Sequence, residues 1–88
     1  MTKHVLKGNA DTMEVFLDGE LLDPKPSQAI YSHSPDGFNW GYNGSGPAQL
    51  AMAVVLKITG DIDGYQNFKR NIISFLPGGE DFETTFEL

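Results

Sequence analysis

From Leu50 to Ile58 an apolar side chain stands at every position except Lys57, a pattern with no wide polar face, so a helix there must be nearly surrounded by protein. In a chain of 88 residues this helix becomes the centre about which the rest is arranged. A single domain of this length buries only about 60–65% of the surface that its unfolded chain exposes, so its core must be economical. Pro47 suits the first helical position, where a missing N–H costs nothing. Gly46 or Ser45 is expected to cap the helix, and Gly60 to end it.

The remaining elements follow from local patterning. Asp18-Gly19 between apolar runs signals a hairpin, with strands expected at 12–17 and 20–22 and an earlier strand through Val5 and Leu6 ending at Gly8. Pro24 and Pro26 remove ladder donors and take the chain out of the sheet, after which Ser27 to Tyr31 is expected to resume as a strand. A second helix over 62–75 aligns Tyr65, Phe68 and Ile72 with Phe75 or Leu76 in one apolar stripe. Pro77-Gly78-Gly79 stops it. Phe82, Thr84, Phe86 and Leu88 then alternate with Glu83, Thr85 and Glu87 as in a half-buried strand. The expected fold class is α+β: a small antiparallel sheet, made of the N-terminal hairpin and the C-terminal strand, packed on two helices of which the first is largely buried.

Charge and composition narrow the partners. Twelve acids against six bases give a net charge of −6, which repels a nucleic-acid backbone, so duplex DNA is not expected as a partner. The densest acids, Glu80, Asp81, Glu83 and Glu87, read as a solvated edge or as a surface for a basic protein. With no cysteine and two histidines, neither a disulfide framework nor a closed zinc site is expected. The longest apolar run falls far short of the ~20 residues of a membrane span, and the start does not read as a signal peptide. A cytoplasmic location, with no membrane partner and no cofactor, is the expectation.

Chemistry concentrates between Tyr31 and Gln49. Gly44-Ser45-Gly46 before a helix offers unpaired N–H groups and positive dipole to an anionic group, with the Ser45 hydroxyl as a further donor. It equally serves as a plain helix-starting turn, and it is neither a dinucleotide fingerprint nor a P-loop. Phe38, Trp40 and Tyr42 alternate, which permits an extended segment with its rings on one face. With Tyr31 they would suit stacking on a nucleobase, although Trp40 and Phe38 fit core packing better, and Tyr31 and Tyr42 fit either role. His33 and Ser34 in His33-Ser34-Pro35-Asp36 read as loop hydrogen-bonders more than as catalytic groups, because adjacent residues in a turn do not hold triad geometry. Gln49 reaches back to the helix cap or reads a ligand edge. Lys69 and Arg70 can add positive charge if the second helix packs near the loop. An alanine at Gly46 is expected to block an anion at the helix start while leaving the fold nearly intact.

The block from His33 through Gly37-Phe38-Asn39-Trp40-Gly41-Tyr42 to Gly44-Ser45-Gly46-Pro47-Ala48-Gln49-Leu50-Ala51 resembles the signature of a family of small proteins of unknown function found in phages, prophages, bacteria and archaea. The likeness extends more weakly to Lys7-Gly8, the hairpin, Tyr65 with Phe68-Lys69, and Leu76-Pro77. Members often carry a tryptophan in the final strand, where this chain has Phe82 or Phe86. The resemblance implies a mobile-element context, and a location in the host-cell cytoplasm if the chain is phage-encoded.

Together these features lead to a small counter-defence protein that sequesters a phosphorylated, nucleotide-like molecule, such as a host immune signal, without catalysis. Tyr31, His33, Ser34, Phe38, Trp40, Tyr42, Gly44, Ser45, Gly46 and Gln49 are its candidate ligand-binding residues. An acidic inhibitor of a host nuclease or defence complex is the alternative, ahead of a nucleotide-cleaving enzyme with His33 as acid or base. So small a chain encloses little volume, and a homo-oligomer with the pocket at its interface is also compatible with the sequence.

Overall fold

In the computed structural model, which describes residues 1–88, the chain runs β1 (Lys3–Gly8), β2 (Val15–Leu17), β3 (Glu20–Leu21), α1 (Lys25–Ile30), α2 (Ser45–Thr59), α3 (Tyr65–Asn71), a 3₁₀ turn (Ile73–Phe75) and β4 (Phe82–Glu87). All strands pair antiparallel in the order β3-β2-β1-β4. The fold is therefore α+β, with the N-terminal strands and the C-terminal strand in one sheet.

Register follows the alternation of apolar residues. Leu6 stands opposite Leu17, and His4 opposite Phe86. One sheet face thus gathers the buried Leu6, Val15, Leu17, Phe82 and Phe86, which join Leu50, Ala51, Val54, Val55 and Ile73 in a single core cluster. Every residue of α2 from Gly46 to Val55 is buried, as an all-round apolar helix requires. Gly60 ends α2 at φ +80°, its N–H donating to the Leu56 carbonyl.

Asp18 and Gly19, at φ +52° and +85°, form a two-residue turn of the twist that matches paired strands. Asp18 also ties the hairpin to β1. One carboxylate oxygen accepts the Val5 N–H at 2.8 Å, and the other lies 2.7 Å from His4 Nδ1. His4 stacks on Phe86, and its Nε2 is buried without a partner. The bond to His4, followed by that to the Val5 amide, holds the Asp18 carboxyl below its ordinary pKa of 3.8. A depressed folded pKa stabilises the fold above the unfolded value, and the contribution disappears as pH falls through the folded one. The stability advantage of the wild type over Asp18→Asn is accordingly expected to be full above about pH 4 and to shrink below it. Denaturation midpoints measured across the acid range check this, and a difference independent of pH would refute it.

Two expected elements differ in kind, and α2 begins at Ser45 with Gly44 as its N-cap, two residues ahead of the start expected at Pro47 with Gly46 or Ser45 as cap. Ser27 to Tyr31 is not a strand, because Lys25–Ile30 forms the helix α1 with a proline in its first turn. Ser27 Oγ donates to the Pro24 carbonyl at 2.8 Å and is itself buried, which suits a short helix docked on α2. The second long helix is also interrupted. Ile72, at φ −121° and ψ −61°, divides α3 from the 3₁₀ turn, and the altered winding buries Ile73 and leaves Phe75 81% exposed.

Candidate functional site

Gln49 lies one turn into α2 and is fully buried. Its Oε1 accepts the N–H groups of His33 at 2.7 Å and Ser34 at 3.0 Å, while its Nε2 donates to Ser27 Oγ at 2.8 Å and the Tyr31 carbonyl at 3.3 Å. One amide thereby ties α1, α2 and the segment 31–34 together. The cap-directed and ligand-reading roles expected of Gln49 give way in the structure to this internal fastening.

Above that anchor the rings collect. Tyr31 is 60% exposed, and its ring centroid lies 4.5 Å from that of His33. His33 Nε2 is 2.9 Å from the Tyr65 hydroxyl, which also accepts a hydrogen bond from Gln66 Nε2 at 3.0 Å. Gln66, Tyr65 and His33 Nε2 are thus linked in one hydrogen-bonded chain. In the tautomer in which the Tyr65 hydroxyl donates to Nε2, the imidazole proton stands on Nδ1, which is bonded to no protein group. The site therefore presents an imidazole edge beside an exposed aromatic face. Lys69 follows Tyr65 by four residues, on the same side of α3. The second helix thus meets the loop through Tyr65, with a cation one turn beyond.

The four aromatic residues expected to cluster divide between core and surface. Trp40, 1% exposed, packs edge-on against Phe82 with centroids 4.9 Å apart. Its Nε1–H is shared between the carbonyls of Pro77 at 3.2 Å and Glu80 at 3.0 Å, clamping the turn that leads into β4. Phe38 is buried as well, whereas Tyr42 is 46% exposed. Gly41 interrupts the alternation at φ +86°, and a Cβ there would lie 2.4 Å from Gly78 Cα. Only glycine fits both that conformation and that approach.

At the start of α2 the N-cap is Gly44. The N–H groups of Ser45 and Gly46 donate to no protein acceptor, and Ser45 is exposed. Tyr42 lies across this end of the helix. Its ring carbons come within 2.3 Å of where a Gly44 Cβ would stand, and its hydroxyl within 3.2 Å of a Gly46 Cβ. A methyl on Gly46 would also meet Asn39 Cβ at 2.5 Å, so Gly46→Ala disturbs packing and does not separate binding from folding as the sequence suggested.

Two cavities, of about 260 and 330 Å³, flank Leu21, Leu22 and Asp23. The larger reaches Asp36, Gly37 and Phe38 but is bordered by Glu14, Asp23 and Asp36, an electrostatic setting unfavourable to a phosphate. Neither contains His33, Tyr31 or Ser45, and the chemistry of these residues favours the open cluster as the candidate site. Of the residues proposed from sequence, Tyr31, His33 and Ser34 gather there around Gln49. Tyr42, Gly44, Ser45 and Gly46 share the start of α2, while Phe38 and Trp40 belong to the core. Sequence reasoning missed Tyr65 and Gln66 as site members, although Tyr65 stood out in the apolar stripe. No three acidic or histidine side chains converge as metal ligands, and no helix is long and apolar enough to cross a membrane.

The family model described as "Family of unknown function (DUF6166)" matches residues 6–87. No curated protein and no solved structure matches the chain.

Proposed function

We propose that this chain, a member of the DUF6166 family of unknown function, binds and sequesters a phosphorylated, nucleotide-like small molecule without transforming it. The observation that carries this reading is the exposed Tyr31 ring, whose centroid lies 4.5 Å from that of His33, a residue held through its ring by Tyr65 and through its backbone N–H by Gln49. A base can stack on Tyr31, while His33 Nδ1–H offers a donor to a phosphate or ribose oxygen. The unpaired N–H of the exposed Ser45, one turn before Gln49 on α2, offers another. These groups bind and orient. In this reading the His33–Tyr65 contact, backed by Gln66, holds the imidazole in place for binding. In the mobile-element context implied by the signature block, such capture would remove a host signalling nucleotide, and that would be the protein's counter-defence role.

The test is calorimetry against cyclic and linear nucleotides, preceded by mass spectrometry of whatever heat-denatured protein releases. Wild-type protein is expected to bind at least one nucleotide, and Tyr31→Ala to lose about 1–3 kcal/mol of affinity. Its melting temperature should hardly change, because the ring is mostly in solvent. Failure of every nucleotide to bind, or equal binding by Tyr31→Ala, would sink the proposal.

A further inference from the structure

We propose that the outer edge of β4 docks an extended, basic segment of a partner protein, which adds to the sheet as a fifth strand. Thr2 and Leu88 exchange both of their backbone hydrogen bonds, at 3.0 and 3.1 Å, and the β1–β4 register continues from Lys3 opposite Glu87 to Gly8 opposite Phe82. Antiparallel pairs alternate between hydrogen-bonded and non-hydrogen-bonded. Phe82, Thr84 and Phe86 therefore direct their N–H and C=O groups to β1, while Glu83, Thr85 and Glu87 turn theirs outward. These three residues are exposed, and their outward groups meet no other protein acceptor or donor.

Few devices blunt this edge. It is six residues long and contains neither proline nor glycine, whereas β3 at the opposite edge has two residues and is soon followed by Pro24 and Pro26. A row of unpaired backbone groups is a template for another strand, and its side chains select which one. Glu83 and Glu87 flank Thr85 on the outer face, shortly after Glu80 and Asp81. Glu83 meets Lys7 at 3.4 Å, and both side chains remain more than half exposed. A second copy centred on Thr85 would set Glu83 against Glu87 twice, and like charges directly opposite are unfavourable. Lysine or arginine at alternate positions would instead face each glutamate, and the net charge of −6 favours the approach of such a segment. The acidic edge thus discourages self-pairing and admits a basic strand. It uses none of the residues assigned to the small-molecule site.

Nitrogen-15-labelled protein titrated with a short peptide of alternating lysine and valine tests the assignment. Chemical-shift changes and slowed hydrogen exchange are expected at the Glu83, Thr85 and Glu87 amides, with no new exchange protection at Phe82, Thr84 and Phe86, which are already paired. The counterpart peptide of glutamate and valine should leave all six unchanged. Thr85→Pro removes one outward N–H while leaving the β1 ladder its donors, and should weaken lysine-peptide binding about tenfold or more. No response at the three outward amides with millimolar lysine peptide, an equal response to the glutamate peptide, or self-association of the wild type through these amides would overturn the proposal.

Discussion

Met52→Asp is expected to abolish cooperative unfolding, leaving a chain that is already unfolded at room temperature. Met52 is completely buried at the centre of α2, between Ala51 and Ala53 and beside the buried Val54 and Val55. A carboxylate there would have two costly options. If it stays ionised, its desolvation costs several kcal/mol even after relaxation. If it takes up a proton, its polar atoms remain unsatisfied at a cost of roughly 2–7 kcal/mol. Domains of this kind are stable by about 5–15 kcal/mol, and a short chain has little surplus. Met52→Leu keeps the volume and apolar character, and should cost less than about 1.5 kcal/mol. Thermal melts followed by circular dichroism compare the two. A Met52→Asp protein that melted cooperatively near the wild-type temperature would show that α2 is not enclosed.

That enclosure was legible because it follows from a local pattern. An apolar residue at nearly every position admits few environments, and Asp18-Gly19 between apolar runs admits few turns. Glu83, Thr85 and Glu87 likewise declare the outer face of β4. Non-local pairing is less visible. Nothing between Lys3 and Gly8 says that this strand lies between β2 and β4, since that place depends on partners about 10 and 80 residues away. The helix α1 was hidden for a different reason. Pro24 and Pro26 correctly signal an exit from the sheet, but proline is tolerated in a first helical turn, and docking through Ser27 stabilises a helix too short to form alone.

The candidate site divides along the same line. Residues 31–49 were marked by their unusual composition, and most of the site lies within them. The roles inside that segment were not legible. Alternating Phe38, Trp40 and Tyr42 share a face only in an unbroken strand, and Gly41 at φ +86° breaks it, sending two rings into the core and one to the surface. The His33–Tyr65 bond spans 32 residues and arises only because α3 packs beside the loop. Gln49 is the least expected case. A polar side chain in an apolar helix suggests a cap or a ligand contact, whereas here it satisfies backbone groups that the turn at 31–34 would otherwise bury unpaired.

Gln49→Leu should therefore weaken both the fold and the site, although Gln49 is too buried to touch a ligand. Leucine matches the helix and nearly fills the space, so its cost isolates the lost hydrogen bonds. The His33 and Ser34 N–H groups lose their shared acceptor, and the Tyr31 carbonyl and Ser27 hydroxyl lose a donor. Each buried group left unpaired costs about 1–3 kcal/mol. Partial escape of the loop to water reduces the sum, giving an expected loss of roughly 2–5 kcal/mol. That escape is what reaches the site: once residues 31–34 lift from α2, the imidazole no longer meets Tyr65 and Tyr31 no longer faces it. Denaturant midpoints measure the stability loss, and the proton resonances of His33 and Tyr65 report whether their contact survives. Ser27→Ala removes one bond of the same network and should cost about 1 kcal/mol, leaving the His33–Tyr65 contact in place. A Gln49→Leu protein with the wild-type midpoint and an unaltered His33–Tyr65 contact would show that another interaction holds the loop.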